Sequence, residues 1–152
     1  MDESVIRSMA KWPDVPDVYG WLSLDRRGNW QLQGEGIGNR ALREFISRNY
    51  QPDARGCWYF QNGPQRVFVR LAYAPLVVHC EGEGLFDHCG RPFEWRHGFQ
   101  DEEGSVLMLG ARGLALLDDR DLARFADQAI EWPVLAYAAV PERGGFVANP
   151  LP

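Results

Sequence analysis

The sequence predicts an α+β fold of mainly antiparallel sheet with two helices, arranged as two pseudo-duplicated strand–strand–helix units. Three observations carry that reading. Apolar and polar residues alternate over several short runs, as half-buried strands require. Turn signals containing Gly separate these runs. Twice the apolar period lengthens to that of a helix, first at Ile37, Ala41, Leu42, Phe45 and Ile46 and again between Asp119 and Ile130.

Taken in order, residues 1–18 read as a loosely docked lead-in, because Pro13 and Pro16 would break a helix begun near Met9. Strands follow at residues 20–24 and 30–33, flanking the turn at 25–29. A helix capped by Asn39 runs to about Tyr50, before Pro52. After a turn at 53–56, strands are expected at 57–60 and 67–71, with Asn62-Gly63 a strong hairpin signal between them. Further strands fall at 76–80, 85–88, 93–96, 105–109 and 113–117, and a turn lies at 101–104. The second helix, 119–130, is capped by Asp118 or Asp119 and stopped by Pro133. The apolar run 134–140 reads as a last strand or as a segment docking on a second subunit, and 141–152 as a flexible tail.

Asp25, Gly28, Trp30, Leu32 and Gly34 align with Asp101, Gly104, Val106, Met108 and Gly110 at a constant offset of 76 residues. Leu42 and Phe45 align with Leu122 and Phe125 at an offset of 80. One domain over 19–140 is therefore expected, made of repeats at about 19–75 and 76–132 plus a final strand. Neither repeat could bury its apolar face alone.

These residues resemble a family. Trp30, Gly34 and Ile37 form a W-x-x-x-G-x-x-I element that leads into the helix carrying Leu42 and Phe45. The Gly56 turn, Ala74-Pro75 and Gly113-Leu114 follow in order. The pattern, over about residues 19–131, is similar to a bacterial domain-of-unknown-function family. That resemblance implies a duplicated β-sheet-plus-helix fold and a role in ligand binding or signalling.

Bulk properties exclude several classes. The net charge of −5 and a pI near 5.2 argue against nucleic acid, whose binding rests on basic patches. The N-terminus lacks the apolar core of a secretory signal, and no run is apolar for long enough to span a membrane. Three cysteines, an odd count without a signal, fit free thiols in the cytoplasm.

No catalytic constellation emerges. There is no Gly-x-Ser-x-Gly elbow, and the Gly34–Gly38 stretch lacks the Lys and Ser/Thr of a phosphate loop. His79-Cys80 and His88-Cys89 are adjacent pairs on or near strands, so only one member of each could reach a shared metal. No metal site and no cofactor are assigned. The expected site is instead the polar stretch 61–66 between two apolar strands. There Gln61, Asn62, Gln65 and Arg66, with Arg70 and Trp58, would bind a small anionic ligand or a protein partner. The sequence thus points to a non-enzymatic ligand-binding, signalling or interaction module, with a homodimer as a further expectation. The alternative is a small enzyme or metal protein using Cys/His or acidic residues.

Overall fold

The computed structural model describes residues 1–152. They divide into two compact units: Met1–Asp25, Asn29–Ala72 and Val147–Pro152 form the first, Arg26–Gly28 and Tyr73–Phe146 the second. Each is organised round one six-stranded sheet.

In unit 1 the strand order is β3 (Glu35–Gly36), β2 (Trp30–Leu32), β1 (Val18–Leu24), β6 (Gln65–Leu71), β5 (Trp58–Asn62), β4 (Tyr50–Pro52). The sheet is mixed, with antiparallel pairing predominating as expected: β1 runs parallel to β6, while the hairpin neighbours are antiparallel. Strands so distant in sequence meet through a long crossover, and parallel pairing follows naturally from one. The crossover contains helix α2 (Arg40–Arg48), whose N-cap Asn39 accepts a hydrogen bond from the Leu42 N–H. Helix α2 lies on one sheet face. Phe45 meets Phe60 edge-on at 5.5 Å, and the Trp30 indole donates to Ser47 Oγ at 3.0 Å. Trp30, Tyr50 and Trp58 continue this core in ring contact.

Both ends of the chain are more ordered than expected. Helix α1 (Glu3–Lys11) buries Val5, and Asp2 pairs with Arg48 at 3.2 Å. Pro13 and Pro16 fall after this helix and so do not interrupt it. At the other end, the Val147 N–H donates to the Gly56 carbonyl and the Leu71 N–H to the Ala148 carbonyl. The expected flexible tail is therefore held by backbone pairing.

In unit 2 the order is β12 (Val134–Leu135), β9 (Trp95–Asp101), β10 (Val106–Gly110), β11 (Gly113–Leu117), β7 (Leu76–Glu81), β8 (Gly84–Asp87). Here β11 is parallel to β7 and β12 to β9. Asp118 caps a 3-10 turn (Asp119–Asp121) that leads into α3 (Leu122–Ala129). On the α3 side of the sheet, Gln100 Nε2 donates to the Ala129 and Trp132 carbonyls. The run 134–140 is strand for only two residues; a 3-10 turn (Tyr137–Ala139) and helix α4 (Val140–Gly144) follow. Tyr137 meets the Tyr73 ring at 5.0 Å and Val140 is buried, so this apolar run packs on its own unit. The protein thus has four α-helices where two were expected.

One turn recurs four times. At Asp25, Asp53, Asp87 and Asp101 the aspartate N–H donates to the carbonyl four residues on. In each case an Oδ1 accepts the N–H of that same residue: Asn29, Cys57, Arg91 and Ser105. Gly28, Gly56, Gly90 and Gly104, three residues on, all take φ between +83° and +85°. This left-handed conformation is open to Gly at little cost. The other carboxylate oxygen is used differently each time. It accepts from the Asn29 amide, the Arg55 guanidinium, Arg112 or, at 2.7 Å, the Tyr73 hydroxyl.

Asp101 is buried, and burial followed by the Asp101 bond pushes the Tyr73 phenol well above its ordinary value. Replacing Asp101 by Ala orphans that hydroxyl and the turn N–H groups. The expected loss is about 2–4 kcal/mol in urea unfolding; an unchanged midpoint would show that water replaces the carboxylate.

For Asp53, burial acts to raise the pKa, but bonds from the Cys57 and Arg55 N–H groups and the Arg55 guanidinium outweigh it. The carboxyl stays below its ordinary value of 3.8. A depressed folded pKa stabilises above the unfolded value and ceases to do so as pH falls through the folded one. Asp53→Asn should therefore melt lower than wild type at neutral pH, with the gap closing below pH 3.8. A gap constant through the acid titration contradicts this.

Candidate functional site

The stretch expected to be a six-residue recognition loop is mostly strand. Asn62 pairs with Gln65 and Gln61 with Arg66, leaving only Gly63-Pro64 as the turn. Gly63 takes φ +57°, and Pro64 needs no N–H partner there. Polar side chains at the ends of these strands disguised a tight hairpin as a loop.

Strand alternation then divides the six expected site residues between two faces. Trp58, Asn62 and Gln65 stand on the α2 face; Gln61, Arg66 and Arg70 stand on the other. Trp58 is buried against Tyr50. Gln61 is also buried; its Nε2 donates to the Gly63 carbonyl, while its Oε1 has no partner. Arg66 lies 4.6 Å over the Tyr59 ring. Beneath it, Tyr59 and Phe68 pack with Cys57, and Tyr19 stacks on Phe68 at 4.8 Å. Arg70 is exposed. The expected anion site is therefore not assembled as one cluster: Arg66 covers an aromatic layer, Arg70 is exposed, and of the three amides Asn62 and Gln65 stand on the opposite face.

Asn62 and Gln65 open onto a cavity of about 340 Å³ between α2 and the sheet. Nine of the eleven lining residues are apolar, and these two amides are the exceptions. Ile46, Phe60 and Leu22 form buried wall; Trp21, Leu32 and Leu42, exposed at 54%, 45% and 39%, form the rim. Gln65 Nε2 donates to the Pro16 carbonyl, whereas the Asn62 amide makes no hydrogen bond within the chain. The apolar rim residues were overlooked in the sequence. Their signal is Trp21-Leu22, two adjacent apolar residues both lining the cavity. Gly20 at φ +79° and a register shift between Val18 and Leu22 mark the bulge that allows it.

Cys57, Cys80, His79 and His88 each have partners or burial within their own strands and turns. Burial, then nearby Asp53, pushes the Cys57 thiol up; burial, then Asp121, does the same at Cys80. Neither is a thiolate at neutral pH. His79 pairs with Glu81, and His88 Nδ1 accepts the Val77 N–H. Nowhere do three Cys, His or acidic side chains gather as a cation site.

Unit 2 has its own recess, about 570 Å³, beside α3. Cys80, Leu85, Phe93, Trp95 and Phe125 contribute to its lining.

Over residues 1–151 the chain matches the model of the family DUF2944, whose description reads "Protein of unknown function (DUF2946)". The chain belongs to this family. The expected membership of a domain-of-unknown-function family is thereby met. No curated protein matches this DUF2944 chain. Among solved structures it is similar to a DUF1285 family protein from Silicibacter pomeroyi DSS-3. Identity is 20% and the TM-score 0.58, covering 78% of this chain and 74% of that one. A DUF1285 family protein from Shewanella baltica OS155 is 13% identical, with a TM-score of 0.51 and coverage of 70% and 91%. These likenesses establish a shared fold. No helix of the DUF2944 chain is long and apolar enough to cross a membrane.

Arg66→Ala removes one cation–π contact and no ion pair. It should cost about 0.5–1 kcal/mol in urea unfolding, and the cavity on the opposite face should bind as before. A larger loss would mean that Arg66 organises the aromatic layer beneath it.

Proposed function

We propose that the protein is a non-enzymatic ligand-binding module whose unit 1 cavity takes a small, uncharged, largely apolar molecule. The carrying observation is the half-open apolar recess under α2, with the Asn62 amide directed to it and unengaged. A volume of about 340 Å³ is within the range of small-molecule sites. A neutral amide can both donate and accept, so it suits a hydroxyl or carbonyl at one end of an apolar body. No guanidinium or carboxylate lines the recess, which disfavours a charged ligand there.

Internal duplication supports the same reading. Each unit runs from a D-x-x-G hairpin through two strands into a helix, and each has a recess beside that helix. We read the two as descendants of one ligand-holding unit. In unit 1 the first strand of this run has a parallel partner, whereas in unit 2 both the first and the third do, so the sheet orders have since diverged.

The test uses the uncharged dye N-phenyl-1-naphthylamine. Its emission should rise saturably with wild type. Leu42→Trp, which fills the mouth, and Val67→Phe, which fills the wall, should each weaken binding by about tenfold or more while far-UV dichroism stays unchanged. Equal affinity in both folded variants sinks the proposal.

A further inference from the structure

We infer that the recess in unit 2 is a second binding site, for a small organic cation bearing an alkylated ammonium group. Unit 1 has eight acids against eight basic residues, and unit 2 has thirteen acids against eight arginines, so the whole net charge of −5 belongs to unit 2.

The recess concentrates that bias. Glu83 and Glu94 line it, and neither makes a hydrogen bond or ion pair within the chain. Phe93, Trp95 and Phe125 supply three aromatic rings. Carboxylates without cations beside aromatic faces attract an ammonium group that has methyl groups in place of N–H donors. Ring quadrupole and charge then act together where hydrogen bonds cannot. One basic residue, Arg124, reaches the lining, and its Nη2 is tied to the Gly82 carbonyl at 3.1 Å. Two free carboxylates thus face one engaged guanidinium. Gln128 lies in the last turn of α3, where the helix dipole also favours a positive charge. A bare metal ion fits less well, since no three ligating side chains converge.

The aromatic walls are held in place from behind by missing side chains. A Cβ on Gly98 would fall 2.3 Å from the Trp132 ring, so only Gly lets that indole lie on β9. Trp132 in turn supports Trp95 at 5.0 Å between ring centroids. At Gly110 a Cβ would come within 2.8 Å of the Glu94 carbonyl oxygen and 2.9 Å of the Phe93 ring. Two glycines therefore admit the segment that carries two of the rings and one carboxylate. Walls fixed before binding lose little entropy when a ligand arrives.

The experiment titrates the full chain with choline chloride at constant ionic strength, following indole N–H resonances by NMR. The Trp95 signal is assigned by its loss in Trp95→Phe. The neutral isostere 3,3-dimethyl-1-butanol has the same shape without the charge. Saturable shifts at Trp95 with choline are expected, with the isostere weaker by about tenfold. The double variant E83Q/E94Q should lose about tenfold in choline affinity. Leu42→Trp, in the other unit, should leave it untouched, which separates this site from the apolar one. Absence of saturation, equal binding of the isostere, or full affinity in E83Q/E94Q would each overturn the inference.

Discussion

In each D-x-x-G hairpin a carboxylate oxygen accepts main-chain N–H groups of its own turn while glycine takes the left-handed conformation. Two such turns belong to each sheet, and the placing of side chains on its faces depends on them. A hairpin closed in this way has one register, and in a strand a shift of one residue exchanges the two faces. The turn at Asp53 sets Trp58 and Phe60 under α2 and Tyr59 on the opposite face. The turn at Asp101 sets Gly98 opposite Met108 and Phe99 opposite Leu107. The second oxygen of each carboxylate anchors the turn to a different neighbour, so one local motif is reused in four environments.

Face assignment explains why the residues most suggestive of chemistry do not act together. Arg66 and Asn62 lie close in sequence, yet pleating directs one onto Tyr59 and the other towards the cavity. The arginine is engaged with an aromatic surface that contributes to stability. The amide sits over an apolar hollow where a hydrogen bond gains strength from the poorly polar surroundings. A bulge at Gly20 completes the hollow by turning Trp21 and Leu22 towards it. Space, rather than reactive groups, defines this site.

The two recesses are alike in position and unlike in chemistry. Both lie beside the helix that follows a shared hairpin-and-strand run. One is lined by aliphatic and aromatic side chains with two amides; the other adds two unpaired carboxylates to three aromatic rings. With unit 1 neutral and unit 2 carrying all the excess acid, the electrostatic difference extends beyond the recesses themselves.

By itself the sequence determined the fold class, most strands, the Asn39 cap, a second cap at Asp118 or Asp119, and the turns at Asp25, Asp53 and Asp101. All of these rest on interactions among residues a few positions apart. The parallel pairings of β1 with β6 and β11 with β7 were decided only in three dimensions, because they join segments whose mutual affinity no local pattern expresses. The ordering of both chain ends has the same origin: Val5 and Phe146 become core residues only once distant partners are present. The hairpin at Gly63-Pro64 shows the limit most clearly. Gln61, Asn62, Gln65 and Arg66 read as loop by polarity, yet their backbones pair as strand, since the ladder needs only N–H and C=O groups. The cavities were the least legible features, because a cavity is the volume left between elements, and that volume exists only after they have packed.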